Sequence, residues 1–367
     1  MPEDHEHSSG ALARLGLLAL RMAAAVAGGA LMLGWFAADS ELGARVVDLR
    51  HLLGLALLGL GLGLAIGRRR RTAMLVLALG LSACANGWWL GIAAKPEPVG
   101  GAELRVGSAN LLFGIAHPTP LGAWIEAQDL DVLGLQEVLD SDRSKLNWPR
   151  ILESWRERFP YQWVEQHEHF GMALLSRIPF ERGRVEYVGA QGAQGAQGSQ
   201  GSQGSQGASE GGRPVALQAT LEWGGGTRVV VVHPVRPGDA WRQLERERFF
   251  GELGRELGAQ QGRLLLMGDC NATGASPHWQ GLLRAARLVD SRVGFGRLPS
   301  WAPKALPKRL NGSPAQTWAP KLLALDHLLV RGLVTVDRGV GPEVRSDHAP
   351  VHAVFQVATD RAVLAPE

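Results

Sequence analysis

Apolar residues crowd the first 94 positions of the chain, and alternate with polar ones after that. Three long apolar runs come first, at residues 22–38 (extended upstream over 15–20, across Arg21), 51–67 and 73–94. A helix needs about 20 apolar residues to cross the hydrocarbon core, with a range of about 17–25. The third run meets this with no charge inside it, and the first two approach the lower limit. The pattern predicts three transmembrane helices, at about 15–38, 51–67 and 73–94.

A short linker at 96–102, with Pro96 and Pro98, separates these runs from shorter elements. Period-2 alternation or compact apolar runs predict strands at 103–109, 131–136, 161–166, 172–176 and 184–188. Further strands follow at 215–223, 228–232, 263–267, 322–330 (continuing to about 336) and 351–357. Helical spacing appears at 119–128, 144–158 and 239–257. Many strands with a few helices predict two sheets packed face to face with helices outside, an α/β domain over 103–358 followed by a tail at 359–367. Residues 189–212 are mostly Gly, Gln, Ala and Ser repeats. Such a segment cannot bury apolar area, so it is expected to be a disordered loop expanding a hairpin.

Composition changes this picture in one place. The net charge of +3 includes a cluster at Arg68, Arg69, Arg70 and Arg71, between the second and third runs. Basic clusters of this kind stay cytoplasmic, and Arg14 and Arg21 favour the same side for the N-terminus. Three spans then place everything after Ala94 outside, on the periplasmic face of an inner membrane in a bacterium. A cleaved signal peptide is the other reading of the first run, and it leaves the domain on the same side. The remainder is near neutral and shows no basic stripe that would track a nucleic-acid backbone. Two cysteines, Cys84 and Cys270, give no disulfide framework and no Cys-x-x-Cys metal site.

Polar residues stand where the apolar strands end: Asn110, Glu137, His233, Asp269 with Asn271, Asp326 with His327, and Asp347 with His348. One such residue is usually a cap or a turn residue. The whole set, brought together, would repel itself unless a cation sat within it. Oxygen-rich ligands suit Mg²⁺, Mn²⁺ or Ca²⁺. An imidazole beside a carboxylate, His348 with Asp326, would be polarised for proton transfer or phosphate contact. His117, His167, His169, His278, His327 and His352 fall outside this pattern and read as surface or structural residues. Trp241, Trp279, Trp301 and Trp318 follow motif-bearing strands, as core or as pocket lining.

SANLLFG (108–114), LGLQEV (133–138), GMALLSRIP (171–179), VVVVHP (229–234), LLLMGDCNAT (264–273), LDHLLV (325–330) and RSDHAP (345–350) follow one another along the domain. In this order they resemble the endonuclease/exonuclease/phosphatase superfamily, which includes deoxyribonuclease and exonuclease III-like enzymes. The N-terminal spans resemble membrane-anchored bacterial members described as YafD-like. The resemblance implies a four-layered α/β sandwich and a metal-dependent hydrolase of phosphate esters. It implies Glu137, Asn110 and Asp347 at a Mg²⁺ or Mn²⁺ site. Asp269 and Asn271 would orient water and phosphate, Asp326 would orient His348, and His348 and His233 would contact the scissile phosphate or exchange protons. The implied partners are a phosphate ester (a nucleic acid or a lipid or head-group phosphodiester) and a bilayer around the helices, with no obligate protein partner evident. Two departures stand beside the last motif: Arg345 where Gly is common, and Ala349 where Arg is common. The rival reading is a catalytically inactive binding or scaffold protein on the same fold. It would be marked by loss of a ligand, and none is lost.

Overall fold

The computed structural model describes residues 4–36, 41–66, 70–139, 146–167, 170–188, 213–303, 309–310, 313–314 and 320–358. The insert at 189–212, the tail from 359 and Trp318 lie outside the described residues, and so do the expectations made for them.

Three helices open the chain: α1 (Asp4–Phe36), α2 (Glu41–Ile66) and α3 (Arg70–Ile92). Among the described residues, α1 and α2 each contain an 18-residue stretch long and apolar enough to cross a membrane. The helices pack on one another through Ala24, Leu31, Leu57, Leu64, Ala73, Val76 and Ala83. Small residues set the α2–α3 spacing. A Cβ on Gly80 would lie 2.9 Å from the Gly54 carbonyl oxygen, so the two backbones nearly touch.

The domain follows as β1 (Glu103–Asn110), α4 (Pro118–Ala127), β2 (Val132–Val138), α5 (Trp148–Ser154), β3 (Tyr161–Glu165), β4 (Gly171–Ser176) and β5 (Phe180–Val188). Then come β6 (Arg213–Leu221), β7 (Thr227–Val232), α6 (Ala240–Ala259), β8 (Arg263–Asp269), α7 (Pro277–Ala286) and β9 (Val289–Asp290). The last elements are β10 (Arg309–Leu310), β11 (Ser313–Pro314), β12 (Asp326–Arg331), β13 (Leu333–Val340) and β14 (Val351–Val357). Two six-stranded mixed sheets form, ordered β13-β14-β1-β2-β4-β3 and β5-β6-β7-β8-β12-β9, with β10 and β11 a separate pair.

Alternation along the strands decides the layers. Val229, Val231, Leu265 and Met267 face the other sheet, where they meet Val106, Leu174, Val351 and Phe355. Their neighbours Val230, Val232, Leu264 and Leu266 face outward and are covered by Phe250, Leu253, Trp279 and Leu282 of α6 and α7. On the other side Leu133, Leu135, Ala173 and Leu175 are covered by Leu121, Trp124, Trp148 and Leu152 of α4 and α5. The result is a four-layered helix–sheet–sheet–helix sandwich. Each fully buried large side chain contributes about 1.5–3 kcal/mol.

The predicted helix at 144–158 is shorter, because Asn147 caps it and Trp155 already lies outside it. The predicted strand at 322–330 starts only at Asp326, since Leu323 bridges to Trp301 instead.

Connectivity brings the strand ends together. β1–β2 and β7–β8 are parallel pairs, joined across the outer layers by α4 and α6. Their carboxyl ends therefore share one end of the sandwich. β12 runs antiparallel to β8 with Asp326 opposite Asp269, so its first residue arrives at the same end.

Two glycines make this end buildable. Gly268 has φ +143, and a Cβ there would sit 2.0 Å from the Val232 carbonyl oxygen. Gly268→Ala should push β7 and β8 apart and cost on the order of 3 kcal/mol. A thermal melt of the full-length protein followed by circular dichroism would read this as a drop in Tm, and an unchanged Tm would contradict the packing described here. A Cβ on Gly171 would lie 2.2 Å from the Val138 carbonyl oxygen. That contact accompanies a β-bulge in which Glu137 is skipped between Gln136 and Val138.

Candidate active site

The bulge re-aims one carboxylate. Glu137 takes φ +59, a left-handed conformation that a non-glycine residue holds only where surroundings enforce it. Its Oε2 accepts from the Phe113 amide at 2.7 Å, and its Oε1 accepts from the Asn110 side-chain amide at 3.1 Å. The same Asn110 nitrogen donates to Asp269 Oδ2 at 3.0 Å. Asn110 Oδ1 accepts from the Leu112 amide, so the side-chain orientation is fixed. One amide from the first sheet thus ties a carboxylate of its own sheet to a carboxylate of the second.

Two histidines face this pair. His233 Nε2 lies 3.6 Å from Glu137 Oε1 and 3.7 Å from Asp269 Oδ2. His348 Nε2 lies 3.5 Å from Asp269 Oδ2, and its Nδ1 is 2.8 Å from Asp326 Oδ2. Asp326 Oδ2 also accepts from the Ser300 hydroxyl at 2.6 Å. Asn271 is left-handed too, at φ +48, with its backbone N–H on Asp269 Oδ1 and its side-chain amide on the Pro234 carbonyl.

The environments differ sharply. Burial opposes charge on His348, but Asp326 and then Asp269 outweigh it and push the imidazole up to about 10. It is therefore a cation at neutral pH. His233 goes the other way: burial, then Arg213 and His348, hold it well below the usual value, so it is neutral. Burial raises Asp269 to about 7 against the pull of His348. Asp326 is held below its usual value, since His348 overcomes its burial.

Most of the expected residues therefore meet: Asn110, Glu137, His233, Asp269, Asp326 and His348 form one connected cluster, with Asn271 beside it. Asp347 stands at its margin. It acts on His348 through space, and its Oδ1 is buried without a hydrogen-bond partner among the described residues. Ligand atoms of Asp269, Asp326 and His348 lie within 4.8 Å of one another, in reach of a common ion. A protonated imidazole bonded to Asp326 is a poor ligand. Glu137 and Asp269, held apart by Asn110, are the better oxygen pair for a hard cation. Asp326 Oδ1 is also buried and unpartnered among the described residues. Buried carboxylates with spare oxygens, in excess over Arg213 and His348, fit a divalent ion.

Several contributors escaped the sequence reading. Arg213, the first residue of β6, donates to the carbonyls of His233 and Pro234 and lies over the Phe170 ring at 4.1 Å. Burial lowers it to about 10, leaving it cationic. Ser346 donates to the Asn110 carbonyl and accepts from the His348 amide, linking β1 to the last motif. Arg246 of α6 donates to the Asn271 carbonyl. Trp301, by contrast, was expected as core or pocket lining, and it pairs with both Leu323 and His348, beside the site. Trp279 is core, and Trp241 is exposed.

His327 has the structural part expected of it. It is fully buried, its Nε2 donates to the Ala272 carbonyl at 2.9 Å, and its Nδ1 faces Arg292. Burial and Arg292 lower it to about 4. Arg345 is exposed and left-handed at φ +67, the geometry that a glycine would adopt without strain. Ala349 is buried, and its amide donates to the Ser300 carbonyl.

Buried carboxylates and imidazoles at the strand ends of a two-sheet α/β sandwich define a hydrolase site built for an anionic ester. The chain belongs to the Endonuclease/Exonuclease/phosphatase family, whose sequence profile matches residues 107–348. The protein is thereby a hydrolase of phosphate ester bonds. Similar solved structures include an endonuclease/exonuclease/phosphatase from Beutenbergia cavernae, at 19% identity over 72% of this chain and 76% of that one, with a TM-score of 0.47. An AP endonuclease from Archaeoglobus fulgidus is 16% identical over 69% of this chain and 100% of its own, with a TM-score of 0.48. Sphingomyelinase C from Streptomyces griseocarneus is 19% identical over 69% and 99%, with a TM-score of 0.44. No curated protein matches the chain in sequence.

Proposed function

We propose that the protein is a membrane-anchored, divalent-metal-dependent phosphodiesterase whose catalytic domain faces the extracytoplasmic side. The observation that carries the catalytic reading is the Asn110 amide joining Glu137 to Asp269, with His233 and His348 on the same carboxylates. Glu137 and Asp269 would hold Mg²⁺ or Mn²⁺, with Asn110 supporting them and Asp347 nearby. When bound, the ion neutralises phosphoryl oxygens and makes water more acidic.

The chain's own groups supply the rest. Asp269, beside the ion, orients the attacking water and takes its proton. The water oxygen bonds to phosphorus as the ester P–O bond opposite it breaks. His348, cationic and held by Asp326 and Ser300, donates its Nε2 proton to the departing oxygen. His233, neutral, donates a hydrogen bond to a phosphoryl oxygen, and Asn271 fixes the far side of the group.

Anchoring is supported by the three helices, which carry large apolar side chains on their outside: Val26 is 72% exposed, Ile66 84% and Ile92 75%. The orientation is supported by the ends at which the helices meet the domain. His51 of α2 contacts the Leu322 carbonyl, and the Leu90 carbonyl of α3 accepts from Gly294 and Gly296. Arg70 and Arg71, which open α3, lie at the other end of that helix. A tether at this face supports a substrate at or near the bilayer, which favours a phospholipid head-group diester over a nucleic acid. The test gives the full-length protein in detergent phospholipid micelles, plasmid DNA and a phosphomonoester, each with Mn²⁺ or EDTA. The expected result is metal-dependent release from the phospholipid at a higher kcat/KM than from DNA. DNA cleavage with no lipid hydrolysis would overturn the substrate assignment, and turnover in EDTA would overturn the metal.

A further inference from the structure

A second concave site lies away from the catalytic cluster, where the helices meet the domain. It is a cavity of about 550 Å³ lined by α2, α3, the β8–α7 loop, α7 and the segment after β9. Its charged lining is Arg50 and His51 from α2 and Arg284, Asp290, Arg292 and Arg297 from the domain.

The charges in this wall do not cancel. Asp290 is the one carboxylate among the described lining residues, and it is spent on Arg292, which holds it through Nε and Nη2 at 2.6–3.2 Å and through its backbone amide. Arg292 turns Nη1 to the Arg297 carbonyl, and its Nη2 faces His327 as well as Asp290. His51 is taken up by the Leu322 carbonyl. Arg50, Arg284 and Arg297 have no ion pair among the described residues. Arg50 and Arg297 are only partly exposed, and burial lowers the Arg297 guanidinium from its usual value. Partly desolvated guanidiniums without anions are costly, and they are the usual means of gripping a phosphate by paired N–H donors.

We propose that this junctional cavity binds a phosphate-bearing anion, held by Arg50 and Arg297 with Arg284 at the rim. The site combines groups from the helices with groups from the domain, so its occupant would clamp the two together. On the anchoring proposed above, the cavity lies at the head-group level of the outer leaflet, and an anionic phospholipid is the natural occupant. A free phosphate ester has the same chemistry. The cavity wall is joined to the catalytic cluster through the β8–α7 loop. Thr273 and Gly274 in its wall lie two and three residues beyond Asn271, and Arg292 supports His327, which holds the intervening Ala272 carbonyl.

The test uses the delipidated full-length protein in a zwitterionic detergent with EDTA. Thermal shift is recorded against short-chain phosphatidylglycerol, short-chain phosphatidylcholine and inorganic phosphate. The wild type should be stabilised by phosphatidylglycerol, and the Arg50→Gln/Arg297→Gln variant should bind it about tenfold more weakly or worse. The variant should keep its turnover of a soluble chromogenic diester, which shows that it is folded, and Arg297→Lys should retain part of the shift. Stabilisation by phosphatidylglycerol alone supports the site with a lipid occupant, and equal stabilisation by inorganic phosphate supports it with a free one. No shift from either anion, or the same shift in the double variant, overturns the proposal. Recovery of the protein in the aqueous phase without detergent would instead overturn the anchoring, and leaves the phosphate arm to judge the site.

Discussion

His348→Ala lowers kcat on a phosphodiester by about 10³-fold, within the range of 10²–10⁴ expected for a positioned proton donor. The imidazole is buried between Asp326 and Asp269 and carries its proton because those two carboxylates outweigh the cost of burial. Asp326→Asn tests the same device without emptying the space. An asparagine can still meet Nδ1 and the Ser300 hydroxyl, but it removes the charge that keeps His348 cationic. We expect a loss of about 10²-fold or more in kcat with little change in KM, since the substrate is still bound but its leaving oxygen is no longer protonated. A melt showing both variants folded, with kcat near wild type, would remove His348 from the chemistry.

The second large effect is expected at Glu137. This carboxylate sits on a bulge in a left-handed conformation, with one oxygen on the Phe113 amide and the other on Asn110. Glu137→Gln keeps the size and one of the two accepted contacts, since its amide nitrogen cannot accept the other, while removing one negative charge from the pair that faces His233. The metal requirement should rise by about 10–100-fold or more, by analogy with the losses seen when groups supporting a metal ligand are removed. Excess Mn²⁺ should then restore part of the activity. Such rescue separates a ligand from a residue needed only for folding. Titration of Mn²⁺ against rate gives the number directly, and an unchanged half-saturating concentration would contradict the assignment.

Much of the fold was legible because it depends on period. Strands such as β7 and β8 are apolar on both faces and bounded by polar ends, which marks them as central and places His233 and Asp269 at their tips. The common meeting point of those tips follows from parallel pairing, which a strand–helix–strand order already implies. Other parts depend on contacts with no local signature. Arg213 follows a low-complexity insert and gains its place only because β6 pairs with β5 and β7. Ser300 and Ser346 are hydroxyls in loops, among many such hydroxyls, and matter because of which carboxylate or carbonyl they reach. His327 was separable from its neighbour Asp326 by alternation along a strand, but its link to Ala272 required the folded β8–α7 loop. The junctional cavity draws on residues far apart in sequence, Arg50 and Arg297 among them, and no spacing rule joins them.

The most direct test of the account is turnover of bis-(p-nitrophenyl) phosphate by the full-length protein in detergent, stripped with EDTA and then given back Mg²⁺ or Mn²⁺, beside Glu137→Gln and His348→Ala. The account predicts no turnover when stripped, recovery on metal addition, a higher metal requirement in Glu137→Gln and no recovery in His348→Ala. Full turnover by the stripped wild type, or recovery of both variants to the wild-type rate at the same metal concentration, would contradict it.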